Sequence, residues 1–202
     1  MIDIQKNKER FLQICHDVIQ RPGVYKLLTW LDHSDFFIAP ASSRYHLSER
    51  GGLLLHSLNV YDEMTRLSKV YEQYADVSDE SIAIMALFHD LCKVNFYKQD
   101  TRNVKRDGEW TTVPFYTIEE KFPFGGHGSK SMFILQQFIQ LTPEEACGIN
   151  CHMGLSEHER SIGAVYEMFP SAWMLHAADE AATFLIESEK TDHKSNTQSA
   201  ST

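Results

Sequence analysis

Apolar residues recur every three or four positions along much of the chain, which places them on one face of a helix. This spacing, with its flanking caps and breakers, predicts a mostly helical protein. The predicted helices cover residues 4–19, 25–31, 53–74, 78–88, 129–139, 161–167 and 171–187, and one more begins at Thr142. The start at Thr142 is the clearest, because an N-cap threonine, a first-turn proline and a capping-box glutamate follow one another there.

Residues 95–123 depart from the helical spacing. The segment carries the β-forming aromatic residues Tyr97, Trp110, Phe115 and Tyr116 on either side of Arg106-Asp107-Gly108. Asp-Gly between such flanks is typical of a β-hairpin turn. We therefore expect an all-α fold, a helical bundle, with a small β-hairpin insertion around residues 95–123. The aromatic side chains could line a nucleobase pocket or pack against the helices, and the sequence does not separate these alternatives.

The length of the chain, 202 residues, suits one compact domain. We predict a single domain over residues 1–187 and a disordered polar tail over residues 188–202, which lack apolar periodicity. No apolar run approaches the ~18 residues that span a bilayer, and the polar first residues do not suggest a signal peptide. A cytoplasmic location, without membrane association, is therefore expected. The four cysteines contain no CxxC pair, and we interpret them as reduced structural side chains.

The net charge of −9 comes from 28 acidic and 19 basic residues. Proteins that bind duplex nucleic acid contact its phosphates through clustered lysine and arginine, so this balance argues against that class. A small anionic substrate remains compatible, because a local cationic pocket can lie on an acidic surface. Ten histidines are the unusual feature of the composition and require an explanation.

Several histidines and aspartates lie within or beside strongly apolar segments. The set comprises His56, His89, Asp90, His127, His152 and Asp179. A lone histidine in such a place is more often a satisfied core residue, but burying unpaired carboxylates costs several kcal/mol, so a cation is expected. Imidazole and carboxylate ligands suit Fe, Mn, Ni, Zn or Co. With two divalent ions, four neutral histidines and two aspartates leave a net charge of about +2, which would attract an anion and promote water ionisation.

In this order the residues resemble the H…HD…H…H…D ligand pattern of the binuclear phosphohydrolases of the HD superfamily. The resemblance extends from about Phe37 to Leu185 and includes the local motifs LLLHS at 53–57, FHDLCK at 88–93, GHGSK at 126–130, CHMG at 151–154 and LHAAD at 175–179. The chain is also similar to a narrower group, the small stand-alone HD hydrolases of bacteria and their prophages. It shares with them the approach APASS at 39–43 and the His-Met-Gly at 152–154.

The resemblance implies a role for each matched residue. One metal ion would be held by His56, His89, Asp90 and Asp179, and a second by His127 and His152, with Asp90 bridging the two. Lys93 would meet a phosphate or the attacking water, so that Asp90 and Lys93 are the expected catalytic residues. Two positions differ from the family pattern. Cys92 replaces a glycine, which we expect to alter local packing without abolishing ligation, and Met153 replaces the second residue of a common His-His pair.

Four further residues are candidate substrate contacts beside Lys93: Arg44, His46, Lys130 and His176. Arg44 and His46 could reach over the site from an irregular segment, or lie in an exposed loop. Lys130 could bind phosphate near a helix start, or be a solvated lysine. His176 shares a helical face with Asp179, so it could orient that carboxylate, touch substrate or be a hydrogen-bonded core residue.

The expected function is a metal-dependent phosphodiesterase or phosphatase that acts on a nucleotide or a similar small phosphoester. Two alternatives use the same residues. A di-iron oxygenase could be built on the same six ligands, and a non-catalytic domain could keep the fold as a nucleotide sensor. Oxygen consumption without phosphate release would indicate the first, and nucleotide binding without turnover would indicate the second.

Overall fold

The computed structural model describes residues 2–106, 108–155 and 162–188. Within these ranges it contains eight α-helices and one two-stranded antiparallel sheet, which confirms the predicted fold class. The helices are α1 (Ile4–Val18), α2 (Val24–Asp32), α3 (Gly52–Val70), α4 (Asp79–Phe88), α5 (His127–Leu135), α6 (Pro143–Cys151), α7 (Ile162–Met168) and α8 (Pro170–Ala181). A 3₁₀ turn covers Leu91–Lys93 and a π-helical segment covers Ala182–Ile186. None of the described helices has the length and apolar character needed to cross a membrane.

Helix α4 lies at the centre of the domain. All of its residues from Ser81 to Phe88 are buried, and α1, α3 and α6 pack against it. A helix that is apolar on every side requires such an interior position. Its N-terminus is closed by Ser78, whose side chain accepts a hydrogen bond from the backbone N–H of Ser81. The C-terminal end of α4 consequently delivers the His89-Asp90 pair to the interior.

A cluster of phenylalanines fixes α1 and the segment after α2 onto this central helix. The ring of Phe11 lies 5.8 Å from that of Phe88 and 5.3 Å from that of Phe36, in tilted or edge-to-face contacts. Phe37 completes the cluster with an edge-on contact to Phe11 at 5.6 Å. Such aromatic pairs contribute about 0.5–1.5 kcal/mol each beyond the area they bury. The core therefore holds the buried end of α4 firmly in place.

The capping box predicted at Thr142 is present. The Thr142 hydroxyl accepts from the backbone N–H of Glu145, and the Glu145 carboxylate accepts from the backbone N–H of Thr142. Glu145 is fully buried and also receives two hydrogen bonds of 3.0 Å from the guanidinium of Arg21. Since charged and backbone donors satisfy this buried carboxylate, it anchors the start of α6 and through it the position of His152.

Several predicted helix ends were wrong. Helix α3 ends at Val70 instead of residue 74, and α5 runs from His127 to Leu135 instead of 129–139. The last helix, predicted over 171–187, ends as an α-helix at Ala181 and continues as the π-helical segment, in which Glu187 N–H bonds to Ala182 O at 2.9 Å. A π turn contains an extra residue, so positions beyond it face a direction that a regular helical wheel does not give.

The predicted hairpin is confirmed. Strands β1 (Tyr97–Arg106) and β2 (Glu109–Ile118) pair in register from Tyr97 opposite Ile118 to Arg106 opposite Glu109. Gly108 in the turn has a φ of +89°, which glycine adopts without strain. The aromatic residues do not share one environment: Trp110 is exposed, whereas Tyr97 is half-buried, with its hydroxyl 3.4 Å from Ala41 O. Of the predicted polar tail, all but residue 188 lies outside the described residues.

Candidate metal centre

Five of the six predicted metal ligands converge on one buried point, and the sixth lies beside it. His56 comes from the middle of α3, His89 and Asp90 from the end of α4, His152 from the end of α6 and Asp179 from α8. His127 is the first residue of α5, next to Cys92. These residues are far apart in the sequence, and the packing of α3, α4, α6 and α8 brings them together.

The first group of ligand atoms comes from His56, His89 and the two aspartates. His56 Nε2 lies 3.3 Å from His89 Nε2 and 3.1 Å from Asp179 Oδ1. Asp90 Oδ2 lies 3.4 Å from His89 Nε2 and 3.6 Å from His56 Nε2. Donor atoms that bind one ion at about 2.0–2.2 Å are separated from one another by about 3.0–3.6 Å. The observed separations therefore fit the ligand edges of a single divalent ion.

The other ring nitrogen of each central histidine is held by an acceptor. Nδ1 of His89 lies 2.9 Å from Ala86 O, and Nδ1 of His152 lies 2.7 Å from Ile149 O. Nδ1 of His56 faces the Glu187 carboxylate at 3.1 Å. A carbonyl or carboxylate at Nδ1 fixes the proton there, which leaves the Nε2 lone pair available to a metal ion. All three Nε2 atoms face the centre.

His152 supplies an independent sign of a missing ligand. Its Nε2 is buried and has no hydrogen-bond partner within the part of the chain that the structure describes. The nearest acidic atom is Asp90 Oδ1, at 3.7 Å, too far for a hydrogen bond. A buried polar atom without a partner costs about 1–3 kcal/mol, and a metal ion bound between this nitrogen and Asp90 would remove that cost.

The two oxygens of Asp90 face different neighbours. Oδ2 lies near His56, His89 and the ammonium of Lys93, which is 2.6 Å away. Oδ1 lies near His152 and 3.8 Å from the Cys92 sulfur. A carboxylate placed in this way can bind one ion with each oxygen, which is the bridging arrangement that the resemblance implies.

Both aspartates are ionised despite their burial. Burial opposes ionisation of Asp90, but its electrostatic interactions with Lys93 and His89 outweigh burial and hold the pKa well below its usual range. For Asp179 the opposing effect of burial is outweighed by the hydrogen bond and charge of His56, and its pKa is also lowered. The centre consequently offers two carboxylates to a cation at neutral pH.

The central histidines respond to this environment in opposite ways. Burial lowers the pKa of His56, but hydrogen bonds from its two ring nitrogens to Asp179 and Glu187 outweigh it and raise the pKa to about 9. Burial, followed by the charge of His89, lowers the pKa of His152 to about 4. In the metal-free protein a proton on His56 therefore takes the place of a cation between carboxylates, while His152 is neutral and ready to coordinate.

Glu187 is a site residue that the sequence did not reveal. Its side chain is almost completely buried, and its carboxylate accepts from His46 Nδ1, from His56 Nδ1 and from the amide of Asn59 at 2.9 Å. Burial opposes ionisation, but these hydrogen bonds outweigh it and lower the pKa of Glu187 to about 2. The sequence shows only an acidic residue at the end of a predicted helix, and the π-helical segment of residues 182–186 determines where its side chain points.

A second group of ligand atoms lies at the start of α5. Cys92 Sγ is 3.4 Å from His127 Nδ1, and Asp90, Cys92 and His127 form a cluster of potential metal ligands. Helix α5 approaches α6 so closely here that a Cβ added to Gly128 would lie only 2.2 Å from Asn150 O. In the metal-free protein, burial and then the charge of Asp90 raise the pKa of Cys92 to about 12.

The candidate substrate residues occupy three different surroundings. Arg44 is exposed, with its guanidinium 2.9 Å from the Tyr45 hydroxyl, and does not reach the centre. Lys130 is buried and paired with Glu120 at 2.7 and 2.9 Å. The His176 ring is in hydrogen-bond contact with the backbone of His152, since its Nδ1 lies 2.7 Å from His152 O. Their roles in substrate binding remain predictions.

Two cavities flank the centre. One, of about 230 Å³, is lined by Cys92, Phe96, Glu120, Gly125, Gly126, His127 and Lys130, and it opens beside the second group of ligands. The other, of about 610 Å³, lies beyond the Glu187–His46 pair and is lined in part by Arg44 and Phe184. The first cavity gives direct access to Cys92 and His127, whereas the carboxylate of Glu187 stands between the second cavity and His56.

The residues present fit divalent metal ions. The centre combines inward-facing imidazole nitrogens, ionised carboxylates and a buried nitrogen without a partner among the described residues, in groups whose ligand atoms lie within 4.8 Å of one another. Nitrogen and oxygen donors of this kind suit first-row transition metals and zinc. The cluster is therefore able to hold divalent metal ions.

Comparison with known proteins supports the same interpretation. A family model, the HD domain, matches residues 53–191, a segment that begins in the first turn of α3 and includes all six predicted ligands. A search of curated proteins and a search of solved structures found no match. The match covers more than half of the chain and coincides with the buried histidine and aspartate cluster. The chain therefore belongs to the HD-domain family, whose members are generally metal-dependent hydrolases.

Proposed function

We propose that this protein is a phosphohydrolase, a phosphodiesterase or phosphatase that acts on a nucleotide or a similar small phosphoester. The observation that carries the proposal is the placement of Lys93, whose ammonium lies 2.6 Å from the bridging carboxylate of Asp90 at the rim of the metal centre. The ammonium of Lys93, beside the predicted metal ions, would favour a substrate whose negative charge is concentrated in one group. Phosphate esters are the hydrolase substrates that best fit this description.

Lys93 remains a cation in its buried position. Burial lowers its pKa, but the charge of Asp90 outweighs burial, and the pKa is raised overall. The lysine can thus donate hydrogen bonds to a phosphate oxygen without losing its proton. Asp90 and the 3₁₀ turn Leu91–Lys93 fix its position, since Lys93 N–H also bonds to Asp90 O at 3.0 Å.

When bound, divalent ions supply Lewis acidity that neutralises phosphate charge and makes water easier to ionise. The residues of the chain contribute the rest of the chemistry. Asp90 orients the centre by facing both groups of donors, and Lys93 offers its protons to the charge that develops on the phosphate oxygens. The buried imidazoles hold their protons on Nδ1, away from the reaction.

The cavity of about 230 Å³ beside His127 is the proposed approach for the substrate. Its wall combines the phenyl ring of Phe96 with polar groups, and the Lys130 ammonium lies 5.2 Å from that ring. This volume lies below the range of about 300–1,000 Å³ typical of ligand pockets. It suits a phosphate group with a small organic part better than a polymer.

An activity screen tests the proposal. The protein is purified anaerobically, its metal content is measured, and the metal found is added back before assays of phosphate release across nucleotide monoesters and diesters. We expect turnover of at least one phosphoester, strongly reduced in Asp90→Asn and Lys93→Gln and unchanged in the controls Asp76→Asn and Lys26→Gln, both at exposed positions. Oxygen consumption by the iron-loaded protein, with no phosphate or new phosphoester product, would overturn the proposal in favour of an oxygenase.

A further inference from the structure

Cys92 occupies a position where the family pattern has glycine, and its sulfur points into the metal centre rather than into the apolar core. Cys92 Sγ lies 3.4 Å from His127 Nδ1 and 3.8 Å from Asp90 Oδ1. We propose that Cys92 is a ligand of the second metal ion, together with His127, His152 and Asp90, and that this site therefore selects a thiophilic divalent ion. The proposal rests on the metal centre of the proposed function but not on the identity of the substrate.

The distances fit coordination by sulfur. In a tetrahedral site with about 2.3 Å to sulfur and about 2.0 Å to nitrogen or oxygen, the sulfur lies about 3.5 Å from each other donor. The two distances from Cys92 Sγ bracket this value. His152 Nε2, which is buried and has no hydrogen-bond partner among the described residues, is 3.7 Å from the same Asp90 oxygen. The ligand atoms of Asp90, Cys92 and His127 all lie within 4.8 Å of one another, so one ion could contact these three, and His152 faces the same Asp90 oxygen.

The backbone holds Cys92 in this position. Its N–H donates to Ser131 Oγ at 3.0 Å, and Ser131 is fully buried in α5. Ser131 follows His127 by four residues, so both lie on the same face of that helix. The contact thus fixes the 3₁₀ turn that carries Cys92 against the helix that carries His127. A purely space-filling cysteine would not need this placement beside two other potential ligands.

Coordination by the sulfur changes the chemistry of the site. The thiol proton leaves to solvent when the ion binds, and the thiolate adds one negative charge, so the binuclear centre falls from about +2 to about +1. Thiolate ligands favour Zn²⁺, Fe²⁺ or Co²⁺, whereas sites built from carboxylate and water suit Mg²⁺ or Mn²⁺. The second site should therefore discriminate among metal ions more strongly than the first.

Cobalt spectroscopy tests the assignment on the full-length protein. Co²⁺ is added to metal-free protein until two equivalents are bound, and the absorption spectrum is recorded. A thiolate bound to Co²⁺ gives an intense near-ultraviolet charge-transfer band, which nitrogen and oxygen ligands do not produce. We expect this band in the wild type and in the control Cys147→Ser, whose side chain lies outside the cluster, and its loss in Cys92→Ser.

Each outcome separates this proposal from the proposed function. Binding of Co²⁺ without the charge-transfer band in the wild type, or a band that persists in Cys92→Ser, would overturn Cys92 as a ligand and leave the metal centre intact. Failure to bind Co²⁺ at all would overturn both. The band without turnover of any phosphoester would support Cys92 while contradicting the phosphohydrolase.

A second measurement needs no variant, in case Cys92→Ser does not fold. X-ray absorption at the zinc edge of the wild type, loaded with two equivalents, should show a sulfur neighbour at about 2.3 Å. A first shell of nitrogen and oxygen alone would overturn the assignment. In variants that do fold, Cys92→Ser should weaken Zn²⁺ binding at the second site at least about tenfold and Mn²⁺ binding much less.

Discussion

The carboxylate of Glu187 lies 3.1 Å from Nδ1 of His56, while Nε2 of the same ring faces Asp179 at 3.1 Å. Glu187 thus fixes the His56 ring through Nδ1, on the side away from the centre, and directs Nε2 into the centre. Carboxylate, histidine and metal in such a line are a recurrent arrangement, because the carboxylate fixes the tautomer and makes the imidazole a better ligand. Glu187 therefore acts on the metal through His56 and is a positioning residue.

Replacing Glu187 by glutamine should weaken metal binding while leaving the fold in place. The amide keeps the shape of the side chain and can still accept from His56, but the negative charge is lost. Loss of such a supporting group typically lowers metal affinity by about 10–100-fold. Competition with a chelator measures the change, with Glu180→Gln on the exposed face of α8 as the matched control. Equal affinity in both variants would show that Glu187 has no influence on the metal.

Metal affinity at the first site, which His56 helps to form, should rise with pH up to about 9. The proton on His56 in the metal-free protein has a pKa raised to about 9 from an ordinary value of 6.5, and a metal ion must displace it. By the same linkage, the stability that this proton gives the metal-free fold is fully present below pH 6.5 and is lost as the pH rises through about 9.

Chelator competition for the ion at the first site, across this pH range, measures the effect. Glu187→Gln should flatten the pH dependence, because the carboxylate that raises the pKa of His56 is removed. The His152 proton should not contribute, since its pKa of about 4 leaves it neutral throughout. An affinity independent of pH between 6.5 and 9 would contradict the assignment of His56 as a ligand.

Lys93→Gln should separate metal binding from turnover. Removing the ammonium takes away a positive charge 2.6 Å from Asp90, so metal affinity should stay the same or increase. At the same time kcat/KM should fall by about 10²–10³-fold, the usual effect of removing one charge-stabilising donor. Metal titration and steady-state kinetics on one preparation test both. Unchanged turnover would exclude Lys93 from the reaction, and lost metal would show that its role is structural.

Gly128→Ala should displace α5 and so disturb the second metal site, to which α5 contributes His127. The new Cβ would lie 2.2 Å from Asn150 O and 2.5 Å from Ile149 O, both backbone atoms that cannot move aside easily. The helices must separate, at a cost of about 1–3 kcal/mol in the free energy of unfolding, and His127 moves with α5. Gly163→Ala is the matched control, because a Cβ there meets nothing within 4 Å.

Denaturant unfolding and metal titration measure the two consequences of this change. Occupancy of the second site should fall more than that of the first, since none of the first ligands lies on α5. If Gly128→Ala were as stable as Gly163→Ala, the close approach of α5 to α6 would not exist in solution.

The sequence was sufficient to predict most elements of the fold, because strong local signals determine them. The capping box at Thr142 and the Asp-Gly signal of the hairpin each depend on neighbouring residues, and the start of α6 and the pairing of β1 with β2 were found where predicted. The helix ends were less predictable. Polar residues after Val70 fit a helix as well as a turn, and no local pattern announces the π-helical segment after Ala181.

The metal ligands were predictable only as a set, since charged or ionisable residues in apolar segments need a common explanation. The residues that surround and orient these ligands were not predictable. Glu187 reaches His56 through a change in helical register, and Arg44, expected over the site, is directed to Tyr45 at the surface. For Cys92 the sequence predicts only an effect on local packing, and its distance of 3.4 Å from His127 is what indicates a role for its sulfur.

Metal content is the most direct test of the claim that these side chains form a metal centre. Elemental analysis of anaerobically purified wild type, Asp90→Asn and the exposed control Asp76→Asn compares proteins that differ by one oxygen-to-nitrogen exchange. We predict about two divalent ions per chain in the wild type and the control, and a loss of most metal in Asp90→Asn, since Asp90 faces both groups of ligands. Full metal content in Asp90→Asn, or a wild type that binds no transition metal even after reconstitution, would contradict the account.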